Sequence, residues 1–469
     1  MLVAVTSGAV LVLEILAGRL LAPFIGVSLE TFTGIIGIVL AGIALGAWAG
    51  GEAADRYDPS RLIGPAISGG GVATLLSLPI VRILGPNFGA GMVSIVLLTT
   101  CAFFAPAVIL SAVSPLVAKM RLTSIAETGA VVGGLSAAGT LGALAGTFLT
   151  GFVFVRAVPV TPLVVALGVA LTIGGVGLHW YFAKQRPSLA GASAAVLAAV
   201  MAWSAAPPCD HETGYACINV VADDDNPSGR SLYLDTARHA YVDLSDPTTL
   251  DVRYIRLFTQ VLDSVGSDPI TTLHVGGGGF SLPTYLQHTR PGSSDVVLEI
   301  DGDLVDVAVD ELGLTLGSGI EAVVGDARVT ISEQPTDAFD VVVGDAYSGL
   351  TVPWHLTTAE FTAEVDRVLK PGGVYVINLI DGRENAFARA QLRTIAETFE
   401  VGVVILPPDG RVDRRLVNQV AVFSHDELPS LDIDPDDGLL LPETDLEGWI
   451  GDAPLLRDEF APVDQLRAG

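Results

Sequence analysis

The hydrophobic rhythm of the chain changes once. Up to residue 206, long apolar stretches follow one another near 2–22, 33–51, 62–82, 91–118, 129–155, 158–182 and 188–206. A helix needs about 20 mostly apolar residues to cross a bilayer, so the pattern predicts seven spans. Small residues recur along them, as in Gly42–Gly46–Gly50 and Gly133/Gly134–Gly139–Gly142–Gly146. Such stripes let helices approach closely in lipid, where apolar burial gives no drive to pack. Beyond residue 206 the apolar runs shorten to strand length. Residues 215–242 read as a small antiparallel unit, with a turn-rich connection through ADDDNPSGR. A helix is expected over 248–264. From Ile270 strands alternate with helices: ITTLHV, then SLPTYLQHT as a helix, DVVLEI, VDVAVDEL as a helix, EAVVG and FDVVVGD. The amphipathic helix TTAEFTAEVDRVL is expected to stop at Lys370-Pro371-Gly372-Gly373, followed by GVYVINLI, a helix at 384–399, GVVIL and NQVAVFS. Apolar strands alternating with helices predict a parallel, doubly wound sheet covered on both faces. The fold class expected is thus a transmembrane helix bundle followed by a Rossmann-like α/β domain with a small N-terminal β unit. The domains are 1–206 (bundle), 207–265 (β unit and linking helix), 266–425 (nucleoside-binding domain) and 426–469 (acidic, poorly periodic tail).

Charge sharpens this division. Half of the 469 residues are hydrophobic, mean hydropathy is +0.55, and yet the net charge is −27. Residues 1–206 hold nine Lys/Arg against six Asp/Glu, and residues 207–469 hold 16 against 46. A domain this acidic is excluded as a binder of phosphate backbones, which need a Lys/Arg surface. Three cysteines exclude a disulfide-rich scaffold. No cleavable leader is expected, because the first apolar stretch has no basic start. The acidity and the scarcity of lysine (Lys119, Lys184 and Lys370) fit a halophile's surface better than electrostatic steering, since at 1 M salt the screening length is only about 3 Å.

Candidate chemistry falls on the carboxyl ends of the predicted strands, where open parallel sheets bind ligands. Gly276–Gly279 follows the first strand and permits close backbone approach. Glu299 ends the second, where a carboxylate can hold both hydroxyls of a ribose. Asp326 follows the third, in GDA, within reach of an adenine. Asp345 follows the fourth, in VVVGDAY, near the cleft centre. The glycine run is not a full G-x-G-x-x-G, which favours a single nucleoside over a dinucleotide.

HVGGGG, LEID, GDA and VVVGDAY, in that order, resemble the spermidine synthase (polyamine aminopropyltransferase) family, and the whole chain is similar to its membrane-fused branch. LDTARH at 234–239 and the LEILAGRLLAPFIG and DEFAPVDQL segments add to the likeness. The resemblance implies a methyltransferase-type Rossmann fold and transfer of an aminopropyl group from decarboxylated S-adenosylmethionine to an amine. It implies that Gly276, Gly277 and Gly278 form the nucleoside floor, Glu299 binds the ribose, Asp326 and Ala327 meet the adenine, and Asp345 is the general base. His239, Tyr254 and Tyr347 are the expected acceptor-side residues. No metal is expected: Cys209, His211 and Cys217 are too few ligands. A lipid bilayer, a small amine and a second copy of the chain are the expected partners, and nucleic acid is not.

Departures weaken the amine half of the likeness. Gly279 and Phe280 stand where the family has Asp-Gly, and D-S-S-D-P reads Asp345-Ala346-Tyr347-Ser348-Gly349. His239 replaces a Gln, and Ile255 and Arg256 replace the His and Glu after Tyr254. A methyltransferase using S-adenosylmethionine, or a non-catalytic sensor or transport-linked protein, are the alternatives. Trp354 and His355 are candidates for a lid over the cleft. Glu14 and Arg19 lie inside a span but on different faces, and are read as structural. Arg56/Arg61, Lys119/Arg121 and Lys184/Arg186 line one side of the bundle, against Arg82 and Arg156, plus Arg19 near a helix end, on the other. This charge bias and the pairing potential of Cys209 with Cys217 put the acidic half outside a cell. A nucleoside made in the cytoplasm argues the opposite, and the side stays open.

Overall fold

The computed structural model describes residues 1–26, 29–89, 91–122, 128–183, 189–205, 207–266, 269–347, 352–382, 384–412, 416–441 and 443–467. Lys184, Arg186, Ala206, Ser348 and Gly349 lie outside the described residues. The chain forms two compact units, Met1–Ile218 and Asn219–Gly469.

The first unit contains helices α1 (Leu2–Ile25), α2 (Leu29–Arg56), α3 (Pro59–Leu84), α4 (Met92–Arg121), α5 (Thr128–Phe154), α6 (Val160–Ala183) and α7 (Leu189–Ser204). Among the described residues, six helices, those beginning at Leu2, Leu29, Pro59, Met92, Thr128 and Val160, are long and apolar enough to cross a membrane. The seventh expected span, α7, has 16 residues, about 24 Å at the rise of an α-helix, short of a hydrocarbon core of about 30 Å. Leu40, Trp48, Leu141, Phe152, Ile173 and Trp180 are exposed, large apolar side chains better suited to lipid than to water. Where helices meet, glycine removes the spacer. A Cβ at Gly46 would stand 2.2 Å from the Val108 carbonyl oxygen, and one at Gly142 would stand 2.0 Å from that of Ala4. The stripe over α5 is only partly a contact, because Gly133 and Gly134 face open space. After α7, β1 (His211–Glu212) pairs antiparallel with β2 (Cys217–Ala222), and a Cys209–Cys217 disulfide closes the loop. The division between the units falls inside β2.

The second unit opens with the antiparallel hairpin β3 (Gly229–Leu234) and β4 (Ala237–Asp243), then α8 (Arg253–Ser264). There follow β5 (Thr271–Val275), α9 (Ser281–Thr289), β6 (Ser294–Glu299), α10 (Gly302–Glu311), β7 (Ile320–Val324), β8 (Phe339–Gly344), α11 (Ala359–Val368), β9 (Leu369–Asp381), α12 (Ala386–Ala396), β10 (Val401–Leu406), β11 (Val417–Ser424) and β12 (Leu439–Leu441). The sheet order is β12-β10-β11-β9-β8-β5-β6-β7. Strands β7, β6, β5, β8 and β9 are parallel, whereas β11 runs antiparallel to β9 and β10, and β12 antiparallel to β10. The sheet is therefore mixed rather than wholly parallel. β10 and β11 are joined without a helix, and a parallel pair would need a longer crossover. The chain goes outward from β5 to β7 and returns to β8, so the strand order reverses between β5 and β8, the place where such sheets bind ligands.

Two segments are built in more tightly than their patterns suggest. α8 buries Ile255, Leu257, Phe258, Val261 and Leu262 against Val341, Val343 and Val420 of the sheet. The acidic tail adds β12 at the sheet edge, and Leu446, Ile450, Leu456 and Val463 join Phe387 and Leu392 in the core. The expected stop at Lys370–Gly373 ends α11 at Val368, and those residues then begin β9.

The glycine contacts predict an asymmetry. Gly142→Leu is expected to destabilise the detergent-solubilised chain by about 1–3 kcal/mol through overpacking, while Gly133→Leu leaves its melting temperature unchanged. Equal effects in a thermal-shift assay would refute the packing described.

Candidate active site

The site forms where β5 and β8 end side by side. The turn after β5 is held in conformations that side chains resist: Gly276 has φ +98° and Gly278 φ +49°. A Cβ on Gly276 would lie 2.5 Å from the Asp345 carbonyl oxygen, so glycine alone lets the two strand ends meet. Phe280 also adopts the left-handed region, at φ +53°, where the resembling family has glycine. Its ring is fully buried and would lie 2.8 Å from a Cβ on Gly277.

Asp345 is the centre of the constellation. Its Oδ2 accepts a hydrogen bond from the Tyr254 hydroxyl of α8 at 2.9 Å, and its Oδ1 accepts one from Asn378 Nδ2 of β9 at 2.9 Å. Burial pushes its pKa up from 3.8 to about 6, against the lowering effect of those two donors. The carboxylate keeps a partly open side on a cavity that opens to solvent. His239, Tyr254, Ile255 and Phe258 form one wall, and Gly276–Gly279 and Leu282 the other. The Tyr254 hydroxyl, desolvated beside a carboxylate, is held well above its ordinary pKa and remains a proton donor.

The other expected residues are placed as follows. Glu299 ends β6 and accepts from the backbone N–H of Gly277 at 2.8 Å and of Asp301 at 2.9 Å, and burial raises its pKa. It thus binds the glycine turn, with lone pairs to spare on each oxygen. Asp326 caps the short helix Ala327–Thr330 through Arg328 N and meets His355 Nε2 at 3.3 Å, while Ala327 is buried behind it. Trp354, beside His355, is half exposed. Tyr347 does not present a free hydroxyl to the cavity. It donates to the Asn378 carbonyl at 2.8 Å and accepts from Ile380 N at 2.9 Å, tying the segment after β8 to β9. His239 lines the cavity with its Nε2 buried and without a partner among the described residues. Burial lowers its pKa to about 4, so it is neutral at ordinary pH. Arg256, where the family has an acid, turns to the tail and donates to Asp437 Oδ1 at 2.6 Å and 2.9 Å. Cys209 and Cys217 are spent on their disulfide. Sequence reasoning missed Asn378. Its signal was an asparagine inside the apolar run of β9, since a polar residue buried in such a run needs a partner.

No family model matches the chain. It is 29% identical over 206 residues to a polyamine aminopropyltransferase of Chromobacterium violaceum, covering 43% of this chain and 74% of that one. It is 27% identical to the polyamine aminopropyltransferase of Vibrio vulnificus, covering 42% and 70%. The chain is similar to polyamine aminopropyltransferases. A crystal structure of a probable spermidine synthase from Corynebacterium glutamicum superposes with a TM-score of 0.51 at 22% identity, covering 55% of this chain and 99% of that one. The aminopropyltransferase-like fold is common to both.

The raised pKa of Asp345 has a stability consequence with a definite sign. The folded state binds the proton more tightly than the unfolded chain, so this group stabilises below its unfolded pKa and loses that contribution as pH rises through about 6. Asp345→Asn removes the ionising group, and Asn378 has an unpartnered Oδ1 with which it can turn to meet an amide. The melting temperature of the variant relative to the parent is expected to rise between about pH 4.5 and pH 8. A pH-independent difference would mean that Asp345 titrates normally.

Proposed function

We propose that this transferase moves an aminopropyl group from decarboxylated S-adenosylmethionine to an amine, in a chain anchored in a membrane by its helices. The observation that carries the reading is the Asp345 carboxylate at the β8 end, oriented by Tyr254 and Asn378 beside a glycine turn. A protonated amine has no lone pair, and its usual pKa of about 10 leaves little free base near neutrality. Asp345 accepts that proton. The amine nitrogen then attacks the propyl carbon next to the sulfonium. As the N–C bond forms, the C–S bond breaks and its electron pair goes to sulfur, leaving a neutral thioether nucleoside. A sulfonium leaves readily, so holding the two partners in line supplies much of the rate.

On the nucleoside side, the backbone of Gly276, Gly277 and Gly278 gives a floor that side chains would fill. Glu299 stands at the ribose end, with Asp326 and Ala327 at the base. Tyr254 keeps Asp345 aimed and does not itself need to ionise.

The test is release of methylthioadenosine by the full chain in detergent, given decarboxylated S-adenosylmethionine and a panel of amines. Asp345→Asn is expected to lose about 10²–10⁴-fold in kcat/KM while binding methylthioadenosine as the parent does. Unchanged turnover would remove Asp345 from the chemistry, and failure of the parent to bind any S-adenosyl compound would end the reading.

A further inference from the structure

The walls of the cavity describe its acceptor. Among the described residues that line it, Asp345 is the only acid, and both of its oxygens already hold donors. Ala240, Ile255, Phe258, Leu282, Pro283 and Val343 make the remainder largely apolar. Besides Tyr254, three polar side chains line it: Ser281, His274, whose Nε2 is engaged by Thr272 and Asp295, and His239, whose Nε2 is buried and without a partner among the described residues. The imidazole is neutral, so it repels no cation, but as a lone polar atom it stabilises one far less than a carboxylate does. A second ammonium brought into this cavity would lose its water and gain no counter-charge, which is strongly unfavourable. An unpaired buried polar atom is itself costly, and a hydroxyl can satisfy Nε2 in either tautomer, since it both donates and accepts. We propose that the acceptor is a monoamine with a neutral hydrogen-bonding group at its far end, its nitrogen at Asp345 and that group at His239. This rests on the transferase reading for the identity of the site but not for its test.

The test is calorimetry of the full chain in detergent, saturated with methylthioadenosine, using an amino alcohol and the diamine of equal chain length. The amino alcohol is expected to bind about 100-fold more tightly, the scale set by an uncompensated buried charge. His239→Glu is expected to reverse the order, and His239→Leu to abolish the advantage of the amino alcohol over the plain alkylamine. Equal or tighter binding of the diamine by the parent overturns the proposal, as does binding of neither. Selective binding of the amino alcohol without methylthioadenosine release from the donor would sustain it and refute the transferase reading instead.

A second inference comes from the first unit alone. Arg82, near the end of α3, donates to Thr161 Oγ1 at the start of α6 at 2.6 Å and to the Ala205 carbonyl just past α7. Thr161 N in turn donates to Glu212 at 3.0 Å. The end of α3, the start of α6 and the exit from α7 therefore share one end of the bundle. With 24 residues, α6 travels about 36 Å away from that end. α7, though shorter than a hydrocarbon core, ends beside Arg82 through the Ala205 carbonyl, which is the geometry of a return to the exit end. The opposite end carries Arg56 and Arg61, with Lys119 joined to Asp55 at 2.7 Å, and Arg121. In sequence, Lys184 and Arg186 directly follow α6. The exit end has Arg82 and Arg156, with Arg19 toward it within α1. Six basic residues against three orient the opposite end to the cytoplasm. The Cys209–Cys217 disulfide follows the exit, in agreement with an oxidising side. We infer that the chain leaves the bundle on the non-cytoplasmic side, so that an S-adenosyl ligand of the cleft must be delivered or released across the membrane.

Cysteines added one at a time to a Cys101→Ser chain, each compared with that chain alone, test this with a membrane-impermeant maleimide on intact cells. Asp224→Cys is expected to label before lysis and Tyr57→Cys only after it. Labelling of position 57 in intact cells, with position 224 reached only after lysis, overturns the inference.

Discussion

The arrangement of the cleft depends on one carboxylate, Asp345, being held at the edge of water. Burial lifts the Asp345 pKa, and the Tyr254 and Asn378 donors pull it back, leaving a value of about 6. A base of that strength is ionised near neutrality yet still accepts a proton usefully. Each contributor comes from a different element: α8 brings the tyrosine, β9 the asparagine, and the β5 turn closes the floor. The core exists in the form that makes this possible. The apolar face of α8 packs on the sheet, which fixes where the Tyr254 hydroxyl can reach. Gly276 lets the β5 and β8 ends approach to a distance that any side chain would forbid.

The turn after Gly278 shows how a local rule can be broken without losing the geometry. Left-handed backbone costs a residue other than glycine roughly 1–2 kcal/mol. Removing a buried phenyl ring typically costs about 3–5 kcal/mol. Phe280 accepts the first cost and, with its ring fully buried, gains the second. The turn thus holds a left-handed residue other than glycine, and its side chain fills space behind Gly277 instead of entering the cleft.

The strands of the second unit were legible because their apolar runs are short, β-branched and bounded by turn residues, and the strand-end acids followed from that register. The mixed end of the sheet was not legible, since apolar periodicity carries no information on strand direction. The tail was hidden for another reason. Leu446, Ile450, Leu456 and Val463 reach the core from separate short elements, so no single window shows a period. Asn378 is one residue in a buried strand, and its partner is 33 residues away. In the first unit the glycine stripe over α5 was read as continuous, but its early part faces open space because contact depends on a neighbour that sequence alone does not place.

The excess of acid in the second half and the single acid in the cavity concern different ranges of interaction. Exposed charges act over a screening length of about 8 Å at physiological salt and 3 Å at 1 M, so the surface cannot dictate which amine stays bound inside. Within the cleft the local set decides. Arg256, which could have faced the cavity, is drawn to Asp437, and Arg467 lies within electrostatic reach of Tyr347 and Asp381. The side chains around the cavity are thus neutral or committed to holding the tail. An acidic exterior and a nearly uncharged cavity wall are compatible, because exposed charge is screened within a few ångströms of the surface whereas the wall acts at contact.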